Sequence, residues 1–522
     1  MARKQFYITL KLRGQVTEET PSLSLFSRKE YVGLRRLLQV IATAREHKRI
    51  QALALIVKDL SIGWAQIEEV HRELDRFHQA GKRSIIYLDA ADNKRYYLAT
   101  GAQKIVLPPP ASLELLGLRA EVLFFKNLLA YLGVEPELFS LGEYKSAAEM
   151  FTRREMSEAS RRMGDAILSD LQERLKTRIA SRVSQDADTV QTWIDQGPYT
   201  AAQALEKGLI DGIRYEDEID ALVKQDLGQG IRPLPADKLR IGEGFLKRLF
   251  TPARPQIAYL VAEGIINTGE SRRGRARRPV LGSETIIDFL RTARKKKRIK
   301  AVIVRINSPG GSALASDLIW REIKLTDEKK PVIVSFGDVA ASGGYYIASS
   351  ARRILGMPSS LTGSIGVISG KFNLQRLFSN IGVSVDWLDK GKRAGLHSAV
   401  RPYSNDESQV IRDQMRHFYE DHFLEKVAAG RRKSVDEVRT LAEGRVWTGS
   451  QAHGNGLLDD IGGIMEALKI ARREAGLADE AKVRVVRLTR RRSLSELFSF
   501  PLMETTLDDG VQALMPEEWI IR

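Results

Sequence analysis

Residues 331–348 read PVIVSFGDVAASGGYYIA: an apolar strand pattern, a turn rich in small residues and the start of a helical run. Ser342 lies in this turn, between Ala341 and Gly343. Hydrolases display a nucleophilic serine at such strand-to-helix turns, because small neighbours admit the substrate and the first helical N–H groups have no acceptor within the helix. The stretch therefore predicts a strand–helix unit of an α/β fold and makes Ser342 a candidate nucleophile.

A degenerate copy of this stretch lies 249 residues upstream, where residues 96–99 (YYLA) correspond to residues 345–348 (YYIA). At the same offset residues 44–52 correspond to residues 293–301, and Gly142 corresponds to Gly391. Near the ends of the copies the register shifts by one residue, since GLID at 208–211 corresponds to GLLD at 456–459. Internal similarity on this scale indicates that the chain contains two copies of one fold.

Apolar strands alternate with helical patterns in each copy, as at residues 53–57 and 302–306. This rhythm is typical of βαβ units around a largely parallel sheet. We therefore expect an α/β protein of two tandem repeats. The predicted segments are a first repeat at 1–230, a linker at 231–254, a second repeat at 255–475 and a C-terminal tail at 476–522.

Composition excludes several classes of protein and site. A chain of 522 residues that is 43% hydrophobic is typical of a folded protein of two or three domains. The chain has no cysteine, which excludes disulfides and thiolate metal sites. We find no apolar signal core at the N-terminus and no uninterrupted run of 18 apolar residues, so we expect no bilayer-spanning segment.

The net charge of +16 is concentrated in clusters at residues 272–278, 294–300, 431–433 and 490–492. Such clusters are typical of solvated helix faces and loops, and attraction to anionic lipid headgroups is the alternative interpretation. Stacking aromatic residues are not interleaved with the clusters, so we do not expect nucleic-acid binding.

A second glycine-rich turn, NSPGGS at residues 307–312, directly follows the strand at 302–306. Its backbone N–H groups are candidates for holding an anion, and beside an activated serine they would form an oxyanion hole. Taken alone, the same residues are typical of an ordinary strand–helix turn. The first copy has DLSI at residues 59–62 in place of SPGG, and Asn93 in place of Ser342. We therefore expect the first copy to be unable to form an acyl-enzyme by itself.

A serine nucleophile needs a base near neutral pH. None of the seven histidines lies in a glycine-rich turn beside a strand end, so a Ser-His-Asp triad stays open without support from the sequence. A buried lysine is the alternative, since burial lowers its pKa. Lys145, in the motif GEYKS at 142–146, follows an apolar strand and corresponds to Ala394 of the second copy. Lys392 would be a rival base if the register slipped by two residues.

These motifs, together with LTGSIG at residues 361–366, resemble the long form of the bacterial signal peptide peptidase A family. The resemblance covers residues 4–475 and implies tandem Clp/crotonase-like repeats. It implies a serine nucleophile, a lysine general base, a serine that orients the lysine and two oxyanion-hole amides; in that order these are Ser342, Lys145, Ser364, Gly310 and Gly343. Clp proteases carry a histidine 25 residues after the serine, where this chain has Val367, which favours the lysine dyad.

The sequence thus predicts a serine endopeptidase with a Ser-Lys dyad that degrades remnant signal peptides or other apolar peptides at the membrane. The resemblance implies a homotetramer without cofactor or metal and a membrane-associated location, while the lack of an apolar anchor in this chain favours peripheral attachment or a cytoplasmic location. Two alternatives stay open: a crotonase-like acyl-CoA hydrolase or hydratase, and a non-catalytic membrane-associated scaffold.

Overall fold

The computed structural model describes residues 4–19, 31–239, 254–273, 279–478, 483–488, 512–514 and 520–521. The chain divides into two compact units. Unit 1 contains the described residues of 1–119 and 168–253, with Ile521. Unit 2 contains residues 120–167 and the described residues of 254–520.

The strands up to residue 239 are β1 (Gln5–Thr17), β2 (Tyr31–Gly33), β3 (Ile50–Ser61), β4 (Arg83–Leu88), β5 (Ala91–Asp92), β6 (Lys104–Leu107), β7 (Ser112–Glu114), β8 (Ala120–Glu121), β9 (Glu135–Leu141), β10 (Tyr199–Thr200), β11 (Gly212–Ile213) and β12 (Ile231–Pro235). The later strands are β13 (Gln256–Glu263), β14 (Ile265–Asn267), β15 (Arg272–Arg273), β16 (Pro279–Gly282), β17 (Ile299–Ser308), β18 (Gly310–Ser312), β19 (Val332–Ala341), β20 (Arg353–Gly356), β21 (Leu361–Gly363), β22 (Val367–Asn373), β23 (Val446–Thr448), β24 (Asp460–Ile461), β25 (Arg484–Arg487), β26 (Gln512–Leu514) and β27 (Ile520–Ile521).

The helices of the first half are α1 (Leu34–Glu46), α2 (Trp64–Gln79), α3 (Asn93–Ala99), α4 (Lys126–Leu132), α5 (Glu149–Thr152), α6 (Glu158–Val183), α7 (Ala187–Gln196), α8 (Ala201–Glu206) and α9 (Ile219–Leu227). Those of the second half are α10 (Ser283–Lys295), α11 (Ala313–Asp327), α12 (Gly343–Ala348), α13 (Gln375–Asn380), α14 (Asn405–Phe418), α15 (Glu425–Arg431), α16 (Val435–Leu441), α17 (Gly449–Gly454) and α18 (Ile464–Glu474), with a π-helical turn at Tyr419–Leu424. Among the described residues, every helix is too short or too polar to cross a membrane.

Unit 1 is built on a parallel sheet with strand order β11-β6-β4-β3-β1-β12, to which β2 adds beside β1. The central strand β3 is apolar almost throughout, and Leu53 and Leu55 are fully buried. A parallel strand is covered on both faces, so a continuous apolar run rather than an alternating one is the expected pattern.

The main sheet of unit 2 has the order β23-β21-β19-β17-β13-β25, with β20 beside β19 and β24 beside β20. Its pairings are parallel except that of β21 with β23. Val304 on β17 lies between Leu260 and Val334, and all three side chains are buried. The sheet therefore places the end of β19, and with it Ser342, against the core of unit 2.

A second sheet in unit 2 has the order β15-β16-β14-β18-β26-β22-β9. Strand β9 pairs antiparallel with β22 over seven residues, from Leu141 opposite Val367 to Glu135 opposite Asn373. Strand β26, from the C-terminal tail, lies between β18 and β22 and is antiparallel to both. This sheet brings the loop after β9 to the end of the main sheet.

The predicted α/β fold with tandem repeats and largely parallel sheets is confirmed. The domain boundaries stay a prediction, and the structure differs from them in three details. Residues 120–167, assigned by sequence to the first repeat, belong to unit 2. Residues 231–235, assigned to the linker, form β12 beside β1, and residues 484–487, assigned to the tail, form β25 beside β13. Each of these pairings joins segments far apart in sequence, which local patterns do not reveal.

Several predicted features fall outside the described residues. They are most of the linker, the greater part of the basic cluster at 272–278 and the basic cluster at 490–492.

Candidate active site

Ser342 lies in a strained turn between β19 and α12. Its φ of +55° is unusual for a residue with a side chain, and such conformations persist where the surroundings hold them. The Ser342 N–H donates to the Gly363 carbonyl at 2.7 Å, and the Ser342 carbonyl accepts from the Tyr346 N–H at 2.8 Å. The turn is therefore held from both sides, and the side chain is buried in unit 2.

Lys145 reaches Ser342 from the loop that follows β9. Its Nζ lies 2.6 Å from Ser342 Oγ, 2.9 Å from the Ser364 carbonyl oxygen and 3.1 Å from Ser364 Oγ. All three side chains are buried. The structure thus brings together the three residues to which the sequence assigned the nucleophile, the base and the group that orients the base.

Burial sets the charge state of this lysine. The pKa of the Lys145 amine is lowered well below its ordinary value of 10.5, because burial removes the water that stabilises the charged form. A neutral amine carries a lone pair that accepts a proton, whereas an ammonium does not. Burial therefore favours the neutral form of Lys145, which is the form that a general base requires.

The loop that carries Lys145 packs against the backbone of residues 443 and 444. The Tyr144 N–H donates to the Glu443 carbonyl at 2.7 Å. Gly444 has a φ of +76°, and a Cβ atom on it would lie 2.5 Å from the Lys145 backbone nitrogen. Only a glycine allows this approach. Sequence analysis did not identify Glu443 or Gly444, because a single glycine in a loop carries no distinguishing pattern.

The backbone of the NSPGGS turn lies beside Gly343. A Cβ atom on Gly343 would lie 2.7 Å from Ser316 Oγ and 3.2 Å from both Gly310 Cα and Gly311 N. Gly343 opens α12, where its N–H has no acceptor within the helix. The Gly310 N–H donates to Ser308 Oγ at 3.2 Å in this structure. The oxyanion-hole role of Gly310 and Gly343 stays a prediction, and the two residues lie in neighbouring turns whose backbones are close together.

The rival bases lie elsewhere. The side chain of Lys392 is 81% exposed and its Nζ lies 3.8 Å from a carboxylate oxygen of Asp406. The histidines are the other candidate bases. Three of them hydrogen-bond to other groups: His71 to the Tyr97 carbonyl, His78 to Ser84 and His417 to Asp421. Among the described residues, the hydrogen-bonding partner of Ser342 Oγ is Lys145.

Asn93 occupies the position in the first copy that corresponds to Ser342. Its Nδ2 donates to the Gly117 carbonyl at 2.8 Å, and its Oδ1 accepts from the Leu116 N–H at 3.1 Å. The amide therefore bridges two backbone groups, as expected for a structural residue.

Comparison with protein families matches residues 76–229 and 324–478 to Peptidase family S49. The chain belongs to peptidase family S49. A relative, "Serine protease SPPA, chloroplastic" of Arabidopsis thaliana, is 35% identical over 98% of this chain and 78% of its own length. "Protease 4" of Haemophilus influenzae is 36% identical over 76% of this chain and 66% of its own length. "Putative signal peptide peptidase SppA" of Enterococcus faecium is 34% identical over 43% of this chain and 65% of its own length.

Among solved structures, ClpP1 from Listeria monocytogenes is 18% identical, with a TM-score of 0.25, and covers 40% of this chain and 94% of its own. The S49 matches in both halves agree with the predicted tandem repeat, and the family assignment makes the chain a member of a serine protease family.

Proposed function

We propose that this S49 chain is a serine endopeptidase in which Ser342 is the nucleophile and Lys145 the general base. The observation that carries the proposal is the distance of 2.6 Å between Lys145 Nζ and Ser342 Oγ in a buried site. The lowered pKa of the lysine supports the same assignment, because it favours the neutral, proton-accepting amine.

In the proposed reaction the Ser342 hydroxyl donates its proton to neutral Lys145 as Oγ attacks the peptide carbonyl carbon. The tetrahedral oxyanion is held by the Gly310 and Gly343 amides. The Lys145 ammonium then protonates the leaving amine as the C–N bond breaks, which leaves an ester on Ser342. Water, losing its proton to Lys145, hydrolyses that ester and regenerates the site. Ser364 holds the lysine in line through its carbonyl and hydroxyl oxygens.

The position of β26 supports an extended peptide as the substrate. Its backbone pairs with β18 at Gly310 and with β22 at Ile368, next to the turn that carries Ser342. A peptide that adds as a strand between β18 and β22 would be bound by main-chain hydrogen bonds, a mode that tolerates many sequences.

We assign apolar peptides, remnant signal peptides among them, as the substrate class, with action at a membrane surface and assembly as a homotetramer. The printed name of the Enterococcus faecium relative supports the substrate class. The net charge of +16 favours contact with anionic lipid.

The test compares wild-type protein with Ser342→Ala and Lys145→Met on apolar peptides and on acyl-CoA thioesters. We expect each variant to lose peptidase activity by about 10³-fold or more, since the residues act as a unit. A fluorophosphonate probe should label wild type and not Ser342→Ala.

Peptide hydrolysis by Lys145→Met at the wild-type rate would refute the dyad. Turnover of CoA thioesters without peptide cleavage would indicate a crotonase-like enzyme, and liposome binding without any turnover would indicate a scaffold.

A further inference from the structure

Glu443 adopts a backbone conformation that is uncommon for a residue with a side chain. Its φ is +52°, in the left-handed region that favours glycine. Such a conformation persists where surrounding contacts hold it, and it is frequent at functional sites. The N–H, the carbonyl and both carboxylate oxygens of Glu443 are all hydrogen-bonded.

Two of these hydrogen bonds hold the loop that carries Lys145. The Tyr144 N–H donates to the Glu443 carbonyl at 2.7 Å, and the Glu143 N–H donates to Glu443 Oε2 at 3.2 Å. Consecutive N–H groups of the loop thus bind one residue. Because Lys145 is the next residue in the loop, the position of its backbone depends on Glu443.

The other two hydrogen bonds join Glu443 to Tyr419. The Tyr419 hydroxyl donates to Glu443 Oε1 at 3.2 Å and accepts from the Glu443 N–H at 3.4 Å. The charge of Arg439, on α16, also acts on this hydroxyl. Tyr419 is 4% exposed and belongs to the hydrophobic core of unit 2, so it fixes Glu443 to that core.

Tyr419 is the first residue of the π-helical turn, which lengthens the second copy relative to the first. Helices α6 and α14 begin after Ser157 and Ser404, whose hydroxyls each accept an N–H three residues on. Arg182 and Arg431, near the ends of these helical stretches, each pair with the aspartate of GLID or GLLD. The serine and the arginine are 25 residues apart in the first copy and 27 in the second. Inserted π-helical turns are frequent at functional sites.

The left-handed turn at Glu443 also distinguishes the second copy. Helices α7 and α16 follow Asp186 and Ser434, at an offset of 248 residues, which is the offset between GLID and GLLD. At this offset Glu443 corresponds to Asp195, which lies within α7. The first copy therefore has a helix where the copy with Ser342 has the turn.

The two residues after this turn reach the serine that contacts the lysine amine. The Gly444 N–H donates to the Ile365 carbonyl at 2.8 Å, and the Ser364 N–H donates to the Arg445 carbonyl at 2.7 Å. The carbonyl and hydroxyl oxygens of Ser364 lie 2.9 and 3.1 Å from Lys145 Nζ. One short segment thus contacts both the backbone of the lysine loop and the backbone beside the lysine amine.

We propose that Tyr419 and Glu443 are positioning residues that hold Lys145 in its buried site. Through them the core of unit 2 fixes the lysine loop, so Nζ stays shielded from water and within reach of Ser342 Oγ. The effect on catalysis rests on the proposed role of Lys145 as the base, whereas the effect on the shielding of its amine does not.

The other charged groups that face the loop are less suited to this role. Arg162 pairs with Glu143 at 2.8 Å, but the two side chains are 51% and 60% exposed, and exposed ion pairs contribute little. Arg445 Cζ lies 5.2 Å from the centroid of the Tyr144 ring, so it contacts a side chain. Glu443 binds the loop backbone itself.

The test measures the pKa of the Lys145 amine without a peptidase assay. Competitive labelling with acetic anhydride, followed by mass spectrometry of the peptide that contains Lys145, is compared between wild type, Tyr419→Phe and Glu443→Gln. Both substitutions nearly conserve side-chain volume. We expect the pKa of Lys145 to rise towards 10.5 in each variant, because a loosened loop admits water to Nζ.

Peptide hydrolysis provides the second measurement. We expect kcat near neutral pH to fall about tenfold in each variant with KM little changed, since the lysine is displaced from the serine. Part of the loss should be recovered as pH rises, because more of the amine is then neutral. A loss of folded protein alone would lower the rate equally at every pH.

Tyr96→Phe and Glu437→Gln are matched controls. The Tyr96 hydroxyl donates to the Leu209 carbonyl at 2.8 Å in unit 1, and Glu437 accepts from the Ser434 N–H at 2.7 Å at the start of α16. Each control alters a hydrogen bond of the kind altered in the test variants, at a place other than the lysine loop. We expect neither control to change the pKa of Lys145.

An unchanged pKa of Lys145 in Tyr419→Phe and Glu443→Gln would overturn the proposal, as would an equal rise in the controls. A raised pKa with unchanged peptide hydrolysis would support the positioning role and refute Lys145 as the base. The double variant should raise the pKa no further than the larger single change, because the two residues act through one contact. Additive changes would show that Tyr419 does not act through Glu443.

Discussion

Lys145 is an amine placed where an ammonium ion is unfavourable. Burial favours the neutral form, and the three oxygens around Nζ belong to neutral groups, the Ser342 hydroxyl and the hydroxyl and carbonyl of Ser364. The surroundings of Lys145 therefore favour the neutral amine, and the pKa of this amine can be measured.

The pH dependence of catalysis follows from this titration. We expect kcat/KM for peptides to rise with pH along one limb, with an apparent pKa well below 10.5, because the base acts only when neutral. The measurement is a pH–rate profile of the wild type. A limb centred at 10.5 would contradict the assignment of Lys145.

The free energy of unfolding should also depend on pH through the lowered pKa of Lys145. Since the folded pKa of Lys145 is lowered, the unfolded chain binds more protons between that pKa and 10.5, so the free energy of unfolding decreases as pH falls through this window. The loss is at most about 1.4 kcal/mol per pH unit. The free energy of unfolding of Lys145→Met, measured by urea denaturation, should lack this pH-dependent loss. If it changed with pH as steeply as that of the wild type, Lys145 would not be the cause of the loss.

At the scale of elements, the position of Lys145 depends on the loop at residues 443–444. We expect Gly444→Ala to reduce peptidase activity by about tenfold or more, because the added Cβ would overlap the Lys145 backbone and move Nζ from Ser342. Gly81→Ala is the matched control: it has the same φ of +76°, and its Cβ would meet nothing within 4 Å.

Both alanines cost about 1–2 kcal/mol of stability through their backbone conformation. The overlap at residue 444 adds to this cost, so kcat/KM is compared for the folded fraction of each variant. Equal kcat/KM values for the two variants would show that the loop does not position the lysine.

The tail strand β26 occupies the gap between β18 and β22 in which we place the substrate. We expect Ala513→Pro to raise kcat/KM for peptides by about tenfold, because proline lacks the N–H that a strand donates and the gap becomes open more often. Deletion of the residues after 488 should have the same effect. Lower activity in both variants, with an unchanged fold by circular dichroism, would show instead that the tail completes the site.

At the scale of the whole molecule, the two copies differ at the position of the serine. Asn93 stands where the second copy has Ser342, and it bridges two backbone groups. We expect Asn93→Ser to lower the free energy of unfolding by about 1–3 kcal/mol through the lost hydrogen bonds. It should not restore peptidase activity to a Ser342→Ala protein, and recovery of activity would show that the first copy retains a functional site.

The sequence by itself determined the duplicated α/β pattern, the turn at Ser342 and the choice of Lys145 as the candidate base. Apolar periodicity, glycine placement and the correspondence between the copies are local or repeated features, so they can be read without coordinates. The S49 assignment agrees with that interpretation.

Only the tertiary structure decided which distant residues meet. Lys145 and Ser342 are 197 residues apart in sequence, yet their side chains lie 2.6 Å apart. Three further features depend on contacts between remote segments. They are the close approach of Gly444 to Lys145, the packing of residues 120–167 in unit 2 and the pairing of the tail strand β26 with β18 and β22. Such contacts depend on how whole elements pack, and the period of a single strand or helix does not encode that packing.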